Sequence, residues 1–173
     1  MTTNPADLNN QGKKAFAAKK YSEAAEYFRQ AAQGFTEGRA GVLAAEASNN
    51  MSVALLQAGK AQEALHAANG TDTIFAGAND VKKQAMALGN QAAALEALNR
   101  YDEAIEKYEQ SADLFGSVNE GDLRATVIKS AAAIKLKTGK ITESAFKMIG
   151  SLEAKKTPTF FDRIIKFLFR FIK

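Results

Sequence analysis

NRYDEAIEKY, residues 99–108, recurs without gaps as KKYSEAAEYF at 19–28, GKAQEALHAA at 59–68 and GKITESAFKM at 139–148. The spacing is 40 residues each time. One column reads Lys20, Lys60, Arg100, Lys140, and the next Tyr21, Ala61, Tyr101, Ile141. Then come Glu23, Glu63, Glu103, Glu143, followed by Ala24, Ala64, Ala104, Ser144. Asn10, Asn50, Asn90 and Ser130 hold the same register upstream, and Phe35, Phe75 and Phe115 hold it downstream. A fixed period of this length is the signature of stacked units, each too small to bury its own apolar face.

Each unit reads as two helices. Before the turn, Ala87, Leu88, Ala92, Leu95 and Leu98 recur at helical spacing; after it, Ala104, Ile105, Tyr108 and Ala112 share one face. Gly59-Lys60, Asn99-Arg100 and Gly139-Lys140 suit a helix C-terminus. Glu37-Gly38, Asn79-Asp80 and Glu120-Gly121-Asp122 combine breakers with candidate N-caps between units. The pattern predicts eight helices, at 5–18, 21–36, 40–58, 61–76, 80–98, 101–116, 122–138 and 141–154. Asn69-Gly70-Thr71 interrupts the fourth, while the register of Phe75 argues that it continues or is only locally disturbed.

The unit resembles the tetratricopeptide repeat. Leu88, Leu95, Tyr101, Ala104, Tyr108 and Ala112 in the third unit stand where that motif wants large or small apolar residues. Gly12, Tyr21, Ala24, Phe28 and Ala31 do the same in the first. The second unit departs at Ala68, where an aromatic is expected, and the fourth at Ser144 and Lys135. The period is longer than the family's usual one, and the motif's tryptophan and closing proline are missing. The resemblance spans residues 5–152 and implies an all-α, right-handed superhelical solenoid of four repeats, with the repeat domain at 1–154. In this family the first helices line a concave groove.

Composition narrows the chemistry. The 173-residue chain has no cysteine and one histidine, so thiolate metal sites, disulfides and cysteine nucleophiles are excluded and an acid–base relay is poorly supplied. His66 shares its column with Glu26 and Glu106, which places it on an exposed helix face. No phosphate loop, serine elbow or dinucleotide pattern occurs. The expectation is a protein that is not an enzyme, with no cofactor and no metal; an enzyme is the remote alternative. The polar start, MTTNPADLNNQGKK, lacks the apolar core of a secretory signal, which makes the cytoplasm the expected compartment.

The asparagine column carries the functional reading. An asparagine amide offers both a donor and an acceptor, so it pairs with both groups of an extended peptide backbone. Asn10, Asn50 and Asn90, thickened by Asn9 and Asn49, would form a ladder for a peptide; Lys13, Phe16, Val53 and Leu56 would line the same groove. The competing role for these amides is to bridge neighbouring helices. Family members that clamp a C-terminal carboxylate need cations at positions that here hold Asn9, Lys13, Asn50, Met86 and Asn90. Most of that charge is missing, so the chaperone-docking function is not carried over.

The chain ends in TFFDRIIKFLFRFIK, residues 159–173, with five of its eleven phenylalanines. Residues 155–173 hold six basic residues and one acid, leaving 17 of the 23 basic and 18 of the 19 acidic residues for the rest. The basicity belongs to the tail, which argues against a nucleic-acid-binding body. On a helical wheel Asp162, Arg163, Lys166, Arg170 and Lys173 share one arc. Phe160, Phe161, Ile164, Ile165, Phe167, Leu168, Phe169, Phe171 and Ile172 fill the rest. Fifteen residues make a helix of about 22 Å, too short to span a bilayer of about 30 Å. An amphipathic cationic helix of this kind lies in a membrane interface. Lys155-Lys156-Thr157-Pro158 reads as a basic hinge, 155–158. The reading is a scaffold that captures a peptide and is held peripherally on the cytoplasmic face of an anionic membrane. In the alternative the tail caps the solenoid or mediates self-association in a soluble adaptor.

Overall fold

The computed structural model describes residues 4–140, and all regular structure among the described residues is helical. The helices are α1 (Pro5–Ala17), α2 (Tyr21–Glu37), α3 (Gly41–Gln57), α4 (Ala61–Ala68), α5 (Thr71–Gly77), α6 (Val81–Ala97), α7 (Tyr101–Ser117) and α8 (Gly121–Lys137). The expected helix at 141–154 and the expected tail helix at 159–173 lie outside the described residues.

One turn is used throughout. Lys19, Arg39, Gly59, Asn79, Asn99, Asn119 and Gly139 all have φ between 56° and 77°. These left-handed residues are spaced 20 apart. In the first turn the Lys19 N–H donates to Phe16 O and the Lys20 N–H to Ala15 O, both at 2.9 Å. The same pair of bonds closes the turns at 39–40, 59–60, 79–80, 99–100 and 119–120. This is the Schellman geometry, which satisfies the last helical carbonyls and reverses the chain within three residues. Glycine and asparagine tolerate that backbone; lysine and arginine adopt it against the clash of their Cβ. The turns, not side-chain caps, also start most helices: Lys20, Ala40, Lys60 and Arg100 make no capping bond. Asn4 and Asp80 are the exceptions, accepting from Ala6 N at 2.9 Å and Lys83 N at 3.0 Å.

The helices pack neighbour to neighbour: α1 on α2, α2 on α3, α3 on α4 and α6 on α7. The repeat columns share their burial. Ala24, Ala64 and Ala104 are each 0% exposed, where a longer side chain would separate paired helices. Phe28, Ala68 and Tyr108 are buried in one column and Ala31, Thr71 and Ser111 in another. The third position of close approach holds Gly12, Ser52 and Ala92. A Cβ at Gly12 would stand 2.7 Å from the Phe28 ring, so glycine there is the complement of a large partner. Ser52 instead donates to Ala64 O at 2.7 Å, so its hydroxyl is buried but satisfied.

The expected helix over 61–76 is corrected to two. Asn69 is extended (ψ 129°) and Gly70 is left-handed (φ 78°), which separates α4 from α5. The break frees backbone groups, and two side chains replace the lost bonds. Thr71 Oγ1 donates to Ala68 O at 2.7 Å, and Gln91 Nε2 donates to the same carbonyl at 3.1 Å and to Asp72 Oδ1 at 2.7 Å. Phe75 stays buried at 1% exposed, so the register survives the break. Both short helices pack on α3 and α6.

The chain divides into two compact units, 1–132 and 133–173. The first holds α1–α7 and most of α8. The described part of the second is the last turn of α8 and its exit, where Thr138 Oγ1 donates to Ile134 O at 2.8 Å and Gly139 has φ 73°.

Replacing the strained residues at C′ should stabilise the chain. Lys19→Gly and Arg39→Gly are each expected to raise unfolding free energy by about 0.5–1 kcal/mol, and Gly59→Ala to lower it by about 1 kcal/mol. Gly12→Val should cost about 1–3 kcal/mol through the clash with Phe28. Urea titrations followed by circular dichroism read all four.

Candidate functional site

The asparagine strip sits on α1, α3 and α6. Asn10 is exposed on α1, while Asn50 and Asn90 are half-buried on α3 and α6. Asn49 is buried at 7% exposed, and its Oδ1 accepts from Asn90 Nδ2 at 2.9 Å. This bond joins the first helices of the second and third units, 41 residues apart in sequence. Part of the predicted ladder therefore bridges helices. Asn9 and Asn50 have the same separation, and Asn9 Oδ1 is buried with no protein hydrogen bond among the described residues.

The other expected lining residues divide. Lys13 is exposed on α1. Phe16 and Leu56 are half-buried and pack against the core cluster built on Ala24, Phe28, Leu55 and Ala64. The Phe16 ring also meets Tyr21 edge-on, with centroids 5.3 Å apart. Val53 is half-buried and Met86 exposed. The tail residues Phe160, Phe161, Asp162, Arg163, Ile164, Ile165, Lys166, Phe167, Leu168, Phe169, Arg170, Phe171, Ile172 and Lys173 lie outside the described residues.

Charge near the strip is organised by a group the sequence reading missed. Lys83 Nζ lies 2.7 Å from Glu46 Oε1 on α3 and 3.0 Å from Asp80 Oδ2 on its own helix. Glu46 first, then Asp80, raise the Lys83 pKa. The Lys83 backbone N–H, then its ammonium, hold the Asp80 carboxyl below its usual value. The signal was present but off-column: Lys83 is 37 residues from Glu46, one helical turn short of the repeat. Farther along α6, Glu96 Oε2 accepts from the Tyr108 hydroxyl at 2.9 Å. Burial, then that carboxylate, raise the Tyr108 pKa well above the phenolic range.

The glutamate column does what a turn position should. Glu23, Glu63 and Glu103 pair with Lys20, Lys60 and Arg100 at 3.2, 3.4 and 2.6 Å. These pairs are solvent-exposed, where screening by water leaves them little weight in stability. His66 is exposed as expected and borders a cleft of about 350 Å³ shared with Asn69, Gln91, Leu95, Arg100 and Lys107. Among the described residues no group of three or more His, Cys, Asp or Glu could hold a metal ion. No described helix is long and apolar enough to cross a membrane.

No protein-family model matches the chain, and no curated protein matches it in sequence.

Two outcomes test this arrangement. Asn49→Ala and Asn90→Ala should each cost about 1–3 kcal/mol by stranding the partner amide, and the double variant should cost less than their sum. Asp80→Ala should cost about 1 kcal/mol at neutral pH through loss of the α6 cap. Because folding depresses the Asp80 pKa, its contribution is complete above the unfolded carboxylate value and is lost as pH falls through the folded one. The difference between wild type and Asp80→Ala should therefore shrink in acid, read from denaturation curves at stepped pH.

Proposed function

We propose that the chain is a non-enzymatic protein-binding scaffold: a solenoid of four tetratricopeptide-like repeats that captures an extended peptide along the asparagine strip. Its C-terminal helix recruits it peripherally to an anionic membrane surface. The observation that supports the repeat reading most is the single turn type at 20-residue intervals, with buried small residues returning every 40. The strip supports the binding reading because Asn10 and Asn50 have no side-chain hydrogen-bond partner among the described residues. Their amides are left to meet a peptide's N–H and C=O groups, while Asn90 divides its capacity between Asn49 and the ligand.

The tail supplies location. Its apolar arc exceeds what one flank of a repeat array buries, and exposed in water it would be an aggregation liability. Lipid takes up such an arc, and Arg163, Lys166, Arg170 and Lys173 meet the headgroup phosphates.

Peptides selected from a random displayed library by the full-length chain should lose at least about tenfold in affinity with Asn10→Ala, Asn50→Ala and Asn90→Ala combined, about 1.4 kcal/mol. The helical circular dichroism should hold. Unchanged affinity would dismiss the strip. In vesicle co-sedimentation, full-length chain should pellet with anionic lipid more strongly at low salt, and Phe167→Glu with Phe171→Glu should stay in the supernatant while folded. Equal behaviour of both proteins would reject the anchor.

A further inference from the structure

The break between α4 and α5 places an asparagine–glycine pair in a reactive setting. Asn69 is exposed and non-helical, and Gly70 follows it with open space where a Cβ would stand. Deamidation needs the backbone nitrogen of the next residue to reach the asparagine Cγ. A bulky successor obstructs that approach, and a hydrogen bond on the successor N–H withholds the nucleophile.

The chain's other asparagines fail one test or both. Asn79, Asn99 and Asn119 are followed by Asp80, Arg100 and Glu120, whose N–H groups each donate at 2.9 Å in a Schellman turn. Asn9, Asn10, Asn49, Asn50 and Asn90 lie within helices, where the backbone is fixed and the following N–H is spent on the ladder. Asn4 precedes Pro5, which has no N–H. The Gly70 N–H alone combines a glycine successor with no hydrogen-bond partner among the described residues. The helices on either side have eight and seven residues, short enough for the link to open locally.

We propose that Asn69 is a site of spontaneous deamidation and isomerisation in the folded chain. The Gly70 nitrogen loses its proton to solvent base and attacks Asn69 Cγ, and the side-chain nitrogen leaves as ammonia. The resulting succinimide takes up one water. Opening at the side-chain carbonyl gives aspartate with the original main chain, and opening at the backbone carbonyl gives isoaspartate, with one more carbon in the main chain. Either product puts a carboxylate into the cleft that Asn69 shares with His66, Arg100 and Lys107. The isoaspartyl form also lengthens the link between α4 and α5. This inference stands apart from the peptide-binding and membrane readings.

The test is incubation of full-length chain in mildly alkaline buffer, followed by peptide mapping by mass spectrometry and isoaspartate-directed carboxyl methylation. The expected result is conversion at Asn69 ahead of every other asparagine, faster as pH rises, with isoaspartate among the products. Asn69→Ser should abolish the methylation signal with the helical circular dichroism unchanged. Conversion first at Asn79, Asn99 or Asn119 would overturn the proposal. So would an intact Asn69 in the folded chain under conditions where denatured chain converts there.

Discussion

A left-handed residue every 20 positions governs this structure. Each Schellman turn uses the last carbonyls of one helix and hands its final residue to the next helix as the start, so three residues separate the elements. What remains of an unbroken half-unit between two such turns is a helix of 17 residues, as in α2, α3, α6, α7 and α8. That is about 25 Å of helix. With turn and length fixed, residues 40 apart must return to equivalent places, and one pattern of small and large side chains serves each pair.

The packing follows from that register. Alanine at 24, 64 and 104 lets paired helices approach, and the partner columns trade size: glycine at 12 beneath Phe28, serine at 52 where 68 is only alanine. The second unit, with no aromatic at 68, is also the one whose second helix breaks. There Thr71 and Gln91 supply hydrogen bonds that a continuous helix would have made for itself. Asn49 with Asn90 is the same solution between units, while Asn9 Oδ1 on α1 is buried without such a partner among the described residues.

Much of this was legible in the sequence because helix ends and small columns have chemical signatures. Gly59, Asn79 and Asn99 advertise a left-handed backbone, and each marks a turn. Lys19 and Arg39 adopt the same backbone without advertising it, since nothing in a lysine or arginine reports positive φ. The break at Asn69-Gly70 was visible as a disturbance, but Phe75 kept its register and hid that the helix splits fully. The asparagine column was legible as a polar strip. Its bonds were not, because Asn49 pairs with the residue one position past its own repeat partner, and only the offset of neighbouring helices decides that.

If the 40-residue register governs the packing, Ala92 and Ala104 stand as Ser52 and Ala64 do, where a side-chain oxygen meets the opposite backbone at 2.7 Å. The chain has no cysteine of its own, so a pair introduced at 92 and 104 is the only thiol pair present. A short bifunctional thiol crosslinker should join Ala92→Cys and Ala104→Cys within one molecule, in preference to Ala92→Cys with Glu103→Cys. Equal yields for the two pairs, or no intramolecular product from a folded protein, would contradict the register and the account built on it.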